Sequence, residues 1–137
     1  MLSAPLAALL LPLLAACSGA PDPVEPVELT APEQAACEAF LDDLPEVAQD
    51  AVITCGAPEP ATLEPTSECE EVRGVGWFVD ADEMADPDSD ATATAIGVRP
   101  RVAVVFPAED RGQTSLAVLS ALADPVTEHM ERVSRCQ

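Results

Sequence analysis

The sequence predicts an α+β fold: a small antiparallel sheet of about four strands, with an N-terminal helix and C-terminal helices packed on one face. Three observations carry this reading. Helical patterning opens and closes the body of the chain, with strand-like runs between. The strongest run, Arg101 to Phe106, is apolar on both sides, as an interior strand is. Four cysteines spread over that body suit a small domain stapled by disulfides. A length of 137 residues gives room for one domain and not two.

The chain divides into three parts. Residues 1–16 carry no charge, and Leu6 to Leu14 is apolar apart from Pro12. That run is shorter than the roughly 20 apolar residues a membrane-spanning helix needs, and it fits the core of a secretory signal. Leu14, Ala15, Ala16 and Cys17 follow, which resembles the lipobox of bacterial lipoproteins. Cys17 is therefore the expected lipidation site, and the lipid anchor makes the membrane the expected partner. MLSAP departs from such signals in having no Lys or Arg. Residues 17–29 follow as the lipidated cysteine and its tether, where Pro21, Pro23 and Pro26 alternate with carboxylates. At about 3.1 Å per residue in polyproline II, it would hold a domain roughly 30 to 40 Å from the membrane. Residues 30–137 form the folded domain.

Thr30 and Glu33 make a capping box, with Pro32 in the first turn. Cys37, Phe40, Leu41 and Leu44 then recur at helical spacing before Pro45, which predicts a helix over 31–44. The strand candidates are Ala51 to Cys55, Glu71 to Val79, Thr92 to Val98 and Arg101 to Phe106. In the second, Val75, Trp77 and Val79 share a face. Leu116, Leu119 and Leu122 indicate a short helix. Asp124 caps a second one, with Pro125 at its first position and Val126, Met130 and Val133 on its buried side. A single helix kinked at Pro125 is the alternative.

Once Cys17 is lipidated, Cys37, Cys55, Cys69 and Cys136 remain. In an oxidising compartment an even count reads as disulfides, and four cysteines allow three connectivities. The favoured pairing is Cys37–Cys55, joining the first helix to the first strand, with Cys69–Cys136 tying the C-terminus to the sheet. There is no CxxC or HxxxH spacing, so neither a zinc site nor a thioredoxin-like role is expected.

Several stretches together carry a resemblance. They are Cys37 with Leu44-Pro45, VITCGAPEP (52–60), PTSECEEVRGVGWF (65–78) and TAIGVRPRVAVVFP (94–107), followed by an apolar helical end. Over roughly residues 34–134 the chain resembles the actinobacterial family called domain of unknown function 3515. The resemblance implies a small exported or membrane-anchored protein of the cell envelope with no known activity. It implies that Cys37 and Cys55 match family cysteines. Cys69 and Cys136 then form an extra bridge, and the acidic stretch 80–90 is expanded.

Charge excludes one large class of function. With 25 acidic residues, 6 basic ones and a net charge of −19, the chain would be repelled by nucleic acid. Anionic headgroups would repel it too, which makes a covalent anchor a sensible means of attachment. DADEMADPDSD (80–90) begins like a calcium loop at Asp86, Asp88 and Asp90. Ala91 and Gly97 then stand where such a loop needs Gly and a bidentate Glu, so a solvated loop is expected and no metal. There is no nucleophile elbow, no phosphate-cradling loop, and His129 is the only histidine. No catalytic residue and no cofactor are expected. The candidate ligand groove comprises Trp77, Phe78, Arg99 and Arg101; the favoured reading has one ring filling the core and the other covering a sheet edge, with the arginines paired to local Asp or Glu. The expected function is a non-enzymatic binding or scaffolding domain, lipid-anchored on the outer face of the cytoplasmic membrane, where an envelope protein would be its partner. The competing expectation is an envelope-acting enzyme whose carboxylates meet only in the fold.

Overall fold

The computed structural model describes residues 19–135. The signal over 1–16, Cys17 and Cys136 lie outside the described residues. Five antiparallel strands form one sheet in the order β1 (Val52–Cys55), β6 (Val102–Phe106), β4 (Ala91–Ile96), β3 (Val75–Phe78) and β2 (Glu70–Val72), and β5 (Val98–Arg99) with β7 (Glu131–Arg132) makes a separate two-stranded ribbon. The α+β class therefore holds, with five strands in the main sheet.

Helix α1 (Ala31–Asp42) starts as its sequence dictates. The Thr30 hydroxyl accepts from the Glu33 N–H, and the Glu33 carboxylate accepts from the Thr30 N–H. That backbone N–H, and then the Thr30 hydroxyl, hold the Glu33 carboxyl below its ordinary pKa. Cys37 and Phe40 face the core while Leu41 is exposed, because 100° per residue turns it off the buried stripe. Pro45 then opens a short 3-10 turn, Glu46–Ala48. Strand β1 (Val52–Cys55) follows on the sheet edge, pairing with β6. The Cys37–Cys55 disulfide joins α1 to β1 as expected, closing a separation of 18 residues.

The run 71–79 is a hairpin and not one strand. Strands β2 (Glu70–Val72) and β3 (Val75–Phe78) flank Arg73-Gly74, which have φ of 50° and 86°. Two consecutive positive φ values define the tight hairpin turn that matches strand twist. Helix α2 (Ala81–Ala85) occupies part of the acidic stretch expected to be loop, capped by the Asp80 carboxylate on Asp82 and Glu83 N–H. Strand β4 (Ala91–Ile96) ends at Gly97, whose φ of 77° and whose approach to Ser134 (a Cβ would stand 2.7 Å from its carbonyl oxygen) leave no room for a side chain. The chain then leaves the sheet as β5 (Val98–Arg99) to meet β7 (Glu131–Arg132). Strand β6 (Val102–Phe106) lies between β1 and β4 and is buried along its whole length, as an interior strand must be.

Helix α3 (Gln113–His129) is continuous through Pro125, which is buried inside it; Asp124 caps nothing. An interior proline costs about 3 kcal/mol. The buried run Leu122, Ala123, Pro125 and Val126 offsets it, at about 1.5–3 kcal/mol per large apolar side chain. Phe40, Val118, Leu122 and Val126 form one core with the sheet face that carries Val72, Trp77, Ala93, Val104 and Phe106. The second face, with Thr54, Phe78, Thr94, Ala103 and Val105, is buried as well. The presumed tether supplies part of its cover. The Thr54 hydroxyl donates to the Val24 carbonyl at 2.7 Å, and the Val27 N–H donates to the Gly56 carbonyl at 2.9 Å. Leu29 lies against Gly56 so closely that a Cβ there would stand 2.9 Å from its methyls. Residues 24–29 are thus docked on the domain, where a free spacer was expected.

Candidate functional site

Cross-strand register creates an opening between the sheet and α3. Trp77 lies opposite Ala95 on β3 and β4, and Ala91 and Ala93 continue the same line towards Phe106 and Val104. Two of these alanines, Ala91 and Ala93, line the space that larger side chains would fill. A cavity of about 750 Å³ results, walled by this sheet face, by the first turns of α3 with Leu116 and Leu119, and by Met84 and Pro87 of the acidic segment. Met84 and Leu116 are 59% and 54% exposed, so apolar surface continues to the mouth.

The acidic stretch is tied in place by its own carboxylates. Asp80 is held below its ordinary pKa by the Thr62 hydroxyl and then by the Asp82 N–H. Asp86 accepts from the Asp88 N–H, and Asp90 accepts from the Ala108 N–H. Asp86 thus shapes a turn and Asp90 ties the segment to the start of the 3-10 turn at Ala108, and among the described residues these carboxylates do not converge in a metal-sized group. Arg111 completes the enclosure by donating through Nη1 to the carbonyls of Asp86 and Ser89. Among the described residues it forms no ion pair.

The side chains with polar groups on the wall are Glu70, Trp77, Arg111, Gln113 and Ser115. Trp77 is 2% exposed and its Nε1 has no hydrogen-bond partner. An unmet donor of this kind costs about 1–3 kcal/mol. Gly112 begins α3 with a φ of 99° and offers no side-chain cap, while Ser115 bonds back to the Gly112 backbone. Glu70 is the one carboxylate among the lining residues.

The groove expected from sequence is only partly realised. Trp77 lines the cavity. Phe78 points to the opposite sheet face by strand alternation and is core. Arg99 is exposed on the β5–β7 ribbon, and Arg101 pairs with Glu59 at 3.1 Å. Neither lines the cavity. Arg111, the cation that does, gave no signal in the sequence. Cys69 is disulfide-bonded, and the expected partner Cys136 lies outside the described residues. A different cluster joins α1 to the end of α3: His129 Nε2 is 3.0 Å from the Asp43 carboxylate, and Glu128 completes a group whose donor atoms lie within 4.8 Å. Asp43 and Glu128 are exposed, and the pair clips the two helices together. Among the described residues no helix is long and apolar enough to cross a membrane.

A family model described as "Protein of unknown function (DUF3515)" matches residues 46–134. The match takes in the entire cavity wall and Cys55, and begins after α1 and Cys37. Comparison with curated proteins and with solved structures gave no match.

Proposed function

The chain belongs to the DUF3515 family of proteins of unknown function, and from that premise we propose that it is a cell-envelope lipoprotein whose domain binds a small apolar or amphipathic ligand. The reaction-free cavity between the sheet, α2 and α3 is its working part. Its volume of about 750 Å³ carries the reading. Ligand sites are concave, mostly apolar and of about 300–1,000 Å³, with a few polar groups to fix orientation. The enzymatic alternative asks for two convergent carboxyls in a cleft, and the lining carries Glu70 alone. Lipidation of Cys17 would hold the domain on the outer face of the cytoplasmic membrane. With residues from Val24 docked on the sheet, the spacer shortens to roughly 20 Å at polyproline rise. The cavity would then work close to the bilayer.

Trp77 is the only tryptophan, and there is no tyrosine, so its emission reports this cavity alone. Titration with the neutral dye N-phenyl-1-naphthylamine should give one saturable site with energy transfer from Trp77. Ala93→Leu, which pushes three more carbons from the wall into the ligand's path, should weaken it. Absence of saturable binding to the wild-type domain sinks the binding reading. Failure of labelled palmitate to enter the chain, with membrane partition unchanged in Cys17→Ser, sinks the anchoring.

A further inference from the structure

We infer that the ligand of this cavity is a single-headed amphiphilic carboxylate, with its head at Arg111 and its aliphatic chain along Ala91 and Ala93 towards Trp77. The inference rests on the binding reading above and adds the chemistry of the head. Arg111 is the one cation on the lining, and it is half-buried. In a chain with 25 acidic residues its hydrogen-bond partners among the described residues are two backbone carbonyls, which position the guanidinium without neutralising it. A charge held this way, partly out of water, favours an anion.

The start of α3 agrees. Gly112 and Gln113 share the wall with Arg111, and the positive end of this 17-residue helix favours an anion beside them. Glu70 sets the number of heads. It sits on β2, which is separated from β6, the strand leading to Arg111, by β4 and β3. Three strand spacings make roughly 14 Å. A second anionic group at that end would meet Glu70, whereas an alkyl end meets Val72 and Trp77.

The test compares dodecanoate, dodecanol and dodecyltrimethylammonium below their micelle concentrations, followed by Trp77 emission and by thermal stabilisation of the full domain. Dodecanoate should bind at least about tenfold tighter than dodecanol, as a charge-assisted hydrogen bond allows. Dodecyltrimethylammonium should bind weakest. Arg111→Gln should erase the preference for the acid while leaving dodecanol within about twofold. Arg111→Lys keeps the charge and should keep most of the preference, which separates loss of charge from loosening of the 80–90 segment. Equal binding of acid and alcohol, or a preference for the cation, overturns the carboxylate inference and leaves the cavity reading standing. Saturable binding of none of the three overturns both.

Discussion

Trp77 concentrates the chemistry of this domain in one side chain. Its ring is core, its edge is cavity wall, and its N–H has no partner. The three roles can be separated by substitution. Trp77→Phe keeps an aromatic ring and deletes the unmet donor, so stability should change by less than about 1 kcal/mol in urea unfolding. Trp77→Ala removes the ring and should cost about 3–5 kcal/mol. A large loss in Trp77→Phe would show that the nitrogen makes an interaction in solution that the structure lacks. The sequence singles out Trp77 and Phe78 together, and strand geometry separates them. Alternation places Trp77 and Phe78 on opposite faces, so the adjacent pair could never line one groove.

At the level of elements, legibility followed the directness of the physical signal. Strand β6 was readable because apolar residues on both sides demand burial on both faces. Helix α1 was readable because its capping box is local. The β2–β3 hairpin was missed because its turn uses Arg73-Gly74 in place of the usual Asn-Gly, so nothing interrupted an apparently continuous strand. The cavity was illegible because it arises between elements: alanines on β4, an indole on β3 and the start of α3 meet only through register. Helix α2, the short element beside this opening, makes an acid-sensitive joint. The Asp80 carboxyl has a folded pKa below its unfolded value of 3.8, through the Thr62 hydroxyl and the Asp82 N–H. A depressed carboxyl contributes stability that is present above the unfolded pKa and lost as pH falls through the folded one. Protection of the Ala81–Ala85 amides, taken against their intrinsic exchange rates, should therefore fall as the pH drops below about 4. Asp80→Asn, which keeps an acceptor but cannot titrate, should remove that pH dependence. Constant protection across this range in the wild type would show that the cap does not hold the helix.

For the whole molecule, the boundary between the proline-rich segment and the domain sets how far the proposed lipid anchor would stand from the cavity. Composition alone places the boundary at Thr30, because alternating prolines and carboxylates cannot build a core. What composition does not reveal is that the second sheet face needs cover, and that an extended segment can provide it with backbone groups. Proline removes donors, yet Val24 still offers its carbonyl to Thr54, and Val27 still has an N–H for Gly56. Leu29 adds an apolar contact where Gly56 has no side chain. A chain beginning at Thr30 should therefore fold less stably than one beginning at Gly19, by about 1–3 kcal/mol, since Thr54 loses the acceptor for a buried hydroxyl. Thermal and urea unfolding of the two chains measures this directly. Thr54→Val in the longer chain should reproduce part of the loss, because the Val24 carbonyl then lacks its donor. Equal stability of the two chains would mean that residues 24–29 leave the sheet in solution. The full spacer of roughly 30 to 40 Å would then be restored, and the cavity would be free to work away from the bilayer surface.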